Sequence, residues 1–212
     1  MTMDTTTAAV VFSACSAGWL ATAGHAARLA RQLRTDQLTE LPNREALTVL
    51  VRRAARRARP GRHVGLLMID VDRFKAINDT HGHAVGNTVL QVIAGRLAAI
   101  AGPGEMAIRL HGDEFALWLG HHTTRQHAHV YAVRRGHNVR AALAMPVEAG
   151  RHRLAVTASV GAAVLPAVGL SRAALLAKAD HDMYQAKRVS YRTTWPHPAT
   201  TRPTPTPGED AA

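Results

Sequence analysis

Two acidic pairs have the residue types to do chemistry together. Asp70 and Asp72 sit in Ile69-Asp-Val-Asp72, directly after the apolar run 64–69. Asp113 and Glu114 sit in His111-Gly-Asp-Glu114. Carboxylates held rigidly at the end of a buried strand, with phosphate oxygens completing the shell, are what Mg2+ asks for. A metal ion there would neutralise phosphate charge and activate an attacking hydroxyl. Neither pair is specific alone. Asp-x-Asp also serves as a cap or a turn, and Gly-Asp-Glu as a tight turn with solvated acids. The pairs gain meaning if the fold sets them side by side.

The elements around them can lie side by side. Residues 45–59 read as a helix with Arg52, Arg53, Arg56 and Arg57 outward, stopped by Pro60-Gly61. The unbroken apolar run 64–69 predicts a strand covered on both faces. Val89, Leu90, Ile93, Leu97 and Ile100 have helical spacing over 87–100. Met106–Leu110 and Phe115–Leu119 read as two strands of a hairpin with His111-Gly-Asp-Glu114 at its tip. If that hairpin lies beside the first strand, two or three carboxylates converge on Asp70. Residues 123–144 read as a helix weakened at Gly136, and residues 154–164 as a strand. Ser171 predicts the cap of a helix that runs to about Arg188, with Leu175, Leu176, Ala179, Met183 and Ala186 inward. The order of strands and crossover helices implies an α/β sandwich with one sheet.

The sequence around these acids resembles the GGDEF family of diguanylate cyclases, from about Asp36 to Arg188. Asp36-Gln-Leu-Thr-Glu-Leu-Pro-Asn-Arg44 is similar to the family's D-x-L-T-x-L-x-N-R. Ile69-Asp-Val-Asp-Arg-Phe-Lys-Ala-Ile-Asn-Asp-Thr-His-Gly-His83 is similar to D-x-D-x-F-K-x-x-N-D-x-x-G-H. Arg109-Leu-His-Gly-Asp-Glu-Phe115 stands at the signature. Ser159-Val-Gly161 and Ala179-Asp-His-Asp-Met-Tyr-Gln-Ala-Lys187 match the late strand and last helix.

The resemblance implies an α+β nucleotide-cyclase, ferredoxin-like fold, its central sheet mostly antiparallel and flanked by helices. It implies that two GTP are condensed into cyclic di-GMP with release of pyrophosphate. Each domain of a homodimer would hold one GTP, with Mg2+ or Mn2+ as cofactor. By matching position, Asp70, Asp113 and Glu114 would hold the metal, with the Val71 carbonyl assisting. Asp113 and Glu114 are the catalytic candidates, and which acid is the base stays open. Phe74 and Lys75 would line the phosphates, and Lys187 would add positive charge. Asn78 and Asn87 would face guanine, and Gly112 would let the backbone approach the nucleotide. Asp36 and Arg44 read as structural, through capping or an ion pair.

Four departures test the resemblance. The first signature glycine is His111, whose Cβ restricts positive φ and whose ring could crowd the nucleotide. Asn87 stands where the family has Asp, and an amide offers guanine's donors one oxygen and turns an NH2 toward them. That predicts weaker guanine binding, by about 1–3 kcal/mol. After Lys187 the family's Gly-Arg is missing, with Arg188 or Arg192 as substitutes. The family's product-inhibition motif R-x-x-D is replaced by Gly102-Pro-Gly-Glu105, which predicts no feedback through that site.

Composition limits the alternatives. With 26 basic and 15 acidic residues the net charge is +11, which favours anionic partners without choosing among them. No nucleic-acid motif accompanies the charge, so no nucleic-acid partner is expected. A single cysteine, Cys15, excludes an intramolecular disulfide. The clustered His121, His122, His127 and His129 read as a solvated face. Residues 1–35 form an apolar N-terminal unit, in which residues 5–27 carry no Asp, Glu, Lys or Arg. With Arg28, Arg31 and Arg34 following, residues 5–27 read either as an anchor at the inner face of the cell membrane or as a soluble helix that packs on the domain or on a second copy. Residues 36–190 form the domain, in the cytoplasm. Residues 191–212, rich in Pro and Thr, read as a disordered tail. Two readings of function result: an active cyclase, or a degenerate domain that binds GTP or a protein partner without catalysis.

Overall fold

The computed structural model describes residues 33–194, with side chains as far as Lys187. The apolar segment 5–27 and the tail beyond Thr194 lie outside the described residues. The elements are α1 (Arg44–Arg56), β1 (His63–Val71), α2 (Phe74–His81), α3 (His83–Ile100), β2 (Met106–His111), β3 (Glu114–His122), α4 (Arg125–Leu143), β4 (Val147–Ala149), β5 (His152–Leu154), β6 (Ala158–Pro166) and α5 (Arg172–Thr194). Among them no helix is long and apolar enough to cross a membrane.

Four strands form one antiparallel sheet in the order β2-β3-β1-β6. Strand β1 is central and is covered on both faces, which is why its sequence is apolar without a break. Alternate side chains separate two cores. Leu67, Ile69, Val71, Phe115 and Leu117 pack with Val89, Ile93 and Leu97 of α3 and Val139 of α4. Val64, Leu66, Met68, Ala116 and Trp118 pack with Leu47 and Val51 of α1 and Leu175, Ala179 and Met183 of α5. Gly161 permits the close approach of β6 to α5, because a Cβ there would collide with the backbone of Ala179 and Met183.

Several boundaries differ from expectation. Helix α1 ends at Arg56, and α3 starts four residues earlier, at His83. Gly136 does not interrupt α4, which runs unbroken from Arg125 to Leu143 with Gly136 buried. The expected strand 154–164 is divided. Residues 152–154 belong to a separate β4-β5 hairpin, turned at Gly150 with φ +61°, and β6 begins at Ala158. Ser171 caps α5 as expected, its hydroxyl accepting from Ala174 N at 3.1 Å. The helix then runs to Thr194, past the expected end.

The histidine cluster is only partly a solvated face. His121, His127 and His129 are exposed, but His122 is buried, its Nε2 without a partner. Its ring lies 5.0 Å from that of Tyr131, and burial pushes its pKa down.

Candidate active site

The register of the sheet brings the two acidic pairs together. Asp70 is the Cα partner of Glu114, and Val71 N donates to the carbonyl of Asp113 at 3.3 Å. Asp70 shares a face with Leu66 and Met68, and Glu114 with Ala116 and Trp118, so both project to the α5 side. Like charges directly opposed across a ladder repel. Burial, followed by the neighbouring Asp113 and Asp72, pushes the Asp70 carboxyl above its ordinary value against the pull of Lys187. Burial also raises Glu114, opposed by His111 and reinforced by Asp70, Asp113 and Asp180. A region this rich in acid calls for a cation. Lys187 of α5 supplies one, its Nζ 2.6 Å from Asp70 Oδ1.

The second member of the first pair is not aimed at the same point. Asp72 accepts from Thr157 Oγ1 at 2.7 Å and from Ser159 Oγ at 2.6 Å, which ties the end of β1 to the start of β6. The following residue, Arg73, takes the left-handed conformation with φ +56° and starts α2. A side chain there is uncommon in that conformation and marks a turn held by its surroundings.

The hairpin tip accommodates the signature's odd residue. Positive φ falls on Gly112, at +51°, and not on His111. The feared conflict at residue 111 therefore does not arise. A Cβ at Gly112 would meet nothing within 4 Å, so the backbone there is open to approach. His111 is exposed and sets Nε2 3.1 Å from Glu114 Oε2. Arg109 braces the turn from behind: its Nε and Nη2 donate to the Gly112 carbonyl, and its Nη1 meets Asp36 Oδ1 at 2.8 Å. Asp36 also accepts from Thr39, so it is the structural residue expected, its ion-pair partner being Arg109. Arg44 is exposed just after the cap, which is Asn43.

The remaining site residues lie on α2 and α3. Phe74 and Lys75 open α2, Phe74 packed on the core and Lys75 exposed. Asn78 is part-buried, and its Oδ1 is buried with no hydrogen-bond partner. Residue 86 must be glycine for Asn78 to sit there, because a Cβ would collide with Oδ1. Asn87 follows it and is exposed.

Among the described residues no three His, Cys, Asp or Glu side chains close into a metal cage. The donor chemistry still suits Mg2+ or Mn2+, since such ions at phosphates take one or two carboxylates and complete the shell with phosphate and water.

Sequence reasoning missed the His111–Glu114 contact, the field of Asp180 on Glu114, and Glu105. Glu105, at the acidic position of the lost R-x-x-D, accepts from Gly102 N, Tyr131 Oη and Arg135. Burial opposes its charge, but these donors, Arg135 first, hold its pKa below the ordinary value. Its side-chain partners, Tyr131 and Arg135, are 26 and 30 residues away along the chain, so no local spacing could signal them.

Comparison with known proteins points to one family. The family model described as diguanylate cyclase, GGDEF domain, matches residues 33–192. MucR of Pseudomonas aeruginosa, a bifunctional diguanylate cyclase/cyclic di-GMP phosphodiesterase, is 35% identical over 153 residues, covering 72% of this chain and 22% of MucR. The diguanylate cyclase TpbB of the same organism is 38% identical over 164 residues, covering 76% of this chain and 37% of TpbB. The chain thus spans well under half the length of these relatives. The solved coiled coil and GGDEF domain of DgcB from Caulobacter crescentus, in complex with c-di-GMP, superposes with a TM-score of 0.70 at 28% identity. That match covers 88% of this chain and 96% of the other.

Proposed function

The chain belongs to the GGDEF domain family, and we propose that it is a diguanylate cyclase, condensing two GTP into cyclic di-GMP. Each 3′-oxygen bonds to the α-phosphorus of the other nucleotide, each α–β phosphoanhydride bond breaks, and pyrophosphate leaves. Each domain holds one GTP, so the reaction needs two copies face to face.

The observation that carries this reading is the pairing of Asp70 with Glu114 across the ladder, with the Asp113 carbonyl bonded to Val71 N beside it. Asp70, the Val71 carbonyl, Asp113 and Glu114 would hold Mg2+ or Mn2+, which neutralises phosphate charge when bound. Glu114, its pKa raised, is suited to take the proton of the 3′-hydroxyl. Lys187 and Lys75 bring positive charge to the phosphates, beside Phe74. Asn78 and Asn87 meet the base, and Gly112 admits the nucleotide. GTP as substrate sets the reaction in the cytoplasm, with residues 5–27 as the segment for membrane contact.

The test is incubation of the full chain with GTP and Mg2+ at a concentration that favours dimers, with products resolved by chromatography and mass detection. Cyclic di-GMP from the chain, and none from D113A, is the expected result. No product from folded, concentrated protein replaces this reading with the degenerate one, in which the domain binds GTP or a protein partner without synthesis. His111 and Asn87 are the residues that favour that second reading.

A further inference from the structure

The end of α1 and the turn after it carry six arginines: Arg52, Arg53, Arg56, Arg57, Arg59 and Arg62. All six are exposed, and among the described residues none of their side chains has an ion-pair or hydrogen-bond partner. No Asp or Glu stands between Glu45 and Asp70 to balance them. Arg56, Arg57, Arg59 and Arg62 converge on an open cavity of about 520 Å³, with His121 from the end of β3 on its wall.

Local structure does not account for this concentration of charge. The negative end of the α1 dipole favours cations in its last turn, which covers Arg53 and Arg56. Arg59 and Arg62 lie beyond the helix. Within it, Arg52 and Arg56, and Arg53 and Arg57, are like charges four residues apart, a spacing at which they repel. The patch therefore favours a negatively charged partner. Its composition also says which kind. Single-stranded nucleic acid is held by aromatic side chains that stack its bases, and among the described residues no Phe, Tyr or Trp lines this cavity. No carboxylate or side-chain amide lines it either, so only its cations could read a base edge. What remains is positive charge spread over a helix end and a turn, which suits the headgroups of an anionic bilayer.

Position supports the same partner. The patch sits at the start of β1, whose other end carries the acidic pairs. Asp70 lies roughly 23 Å beyond His63 along the strand. The domain thus has a basic pole and an acidic pole. In the same chain, residues 5–27 carry no Asp, Glu, Lys or Arg, and an apolar anchor and a polybasic patch reinforce each other at membranes. We infer that the basic pole is a docking surface for anionic lipid headgroups, and that it seats the domain with its acidic edge turned away from the bilayer.

The test is sedimentation of the full chain with two kinds of vesicle, phosphatidylcholine alone and equal parts phosphatidylcholine and phosphatidylglycerol. Binding should be tighter to the anionic vesicles, and raised salt should remove that preference. Each basic side chain at an anionic surface contributes about fivefold, so R56Q/R57Q/R59Q/R62Q should bind those vesicles more weakly by about 100-fold or more. R56K/R57K/R59K/R62K should bind like wild type, because a lipid surface reads charge and not the guanidinium fork. Equal binding of wild type to both vesicle types overturns the inference and leaves membrane contact to residues 5–27. Full retention by the Gln variant overturns it too. Loss in the Lys variant would point to a built phosphate pocket, and displacement of the vesicles by duplex DNA would point to nucleic acid; either result removes the docking surface. The wild-type preference and its salt dependence hold as tests whether or not the variants fold.

Discussion

Lys187, on the last helix, holds its ammonium 2.6 Å from the carboxylate of Asp70 at the end of the central strand. The pair couples α5 to the acidic edge of the sheet. Replacing Lys187 with Met should raise the Asp70 carboxyl further above its ordinary value, since Lys187 is what now pulls it down. A carbon-13 NMR titration of the Asp70 side chain reads this directly. GTP affinity should fall by about tenfold or more, the scale of a lost charged hydrogen bond. An unmoved titration would mean that the ion pair does not persist in solution.

Glu114 gives a pH signature. Its pKa is raised in the folded chain by burial and by the acids around it. A carboxyl raised on folding stabilises the fold while protonated, and that contribution is lost as pH rises through the folded pKa. At neutral pH, without metal, the charged Glu114 is therefore a cost to the fold. E114Q should melt above wild type at pH 7, and the gap should close below about pH 4. Equal melting at both pH values would contradict the assigned environment.

The Arg135–Glu105 pair behaves in the opposite sense. Glu105 is 1% exposed at its side chain and Arg135 10%, with Nη2 to Oε2 at 2.7 Å. R135M leaves a buried charge without its partner and should cost about 3–5 kcal/mol in urea unfolding. Because the Glu105 pKa is lowered on folding, its contribution is present above the ordinary carboxylate range and is lost as pH falls through the folded value. The double variant E105L/R135M should recover much of the loss, which separates an unpaired charge from simple lost packing.

Glu105 is committed to this pair, and Gly102 brings no side chain. Cyclic di-GMP titrated by calorimetry into a G112A/D113A variant should therefore show no tight site. Tight binding there would restore the expectation of product feedback.

Two glycines should divide stability from function. G161A drives a Cβ into the backbone of α5 at Ala179 and Met183, which cannot yield. It should destabilise the fold by about 3 kcal/mol or more. G86A meets no backbone: its Cβ meets the end of the Asn78 side chain, which can turn away, and lies 3.3 Å from Cζ of Phe74, which must give by a few tenths of an ångström. Its melting temperature should stay near wild type while nucleotide affinity falls by about tenfold. Equal effects of G86A on melting and on affinity would argue against a base contact by Asn78.

The amino-acid sequence alone determined the order of the main elements, the central strand and the acidic hairpin tip. It could do so because these depend on short-range features: apolar periodicity, a cap at Ser171, and acids at the end of an apolar run. The motif blocks from Asp36 to Lys187 carried the family in the same way. The β4-β5 hairpin escaped, since three-residue strands leave almost no periodic signal.

Only the tertiary structure decided which acids face one another. Asp70 and Asp72 look equivalent in sequence, yet the ladder sets Asp70 opposite Glu114 while Thr157 and Ser159 hold Asp72. Register, and with it the face to which a strand residue projects, is a property of two paired strands and cannot be read from one. The same holds for Lys187 on Asp70, 117 residues away along the chain, and for Arg109 on Asp36, 73 residues away. His111 illustrates the converse: its identity suggested strain, and the turn avoids it by placing the positive φ on Gly112. Such contacts join residues distant in sequence, where neither spacing nor propensity carries information, and packing of the two cores against one sheet brings them together.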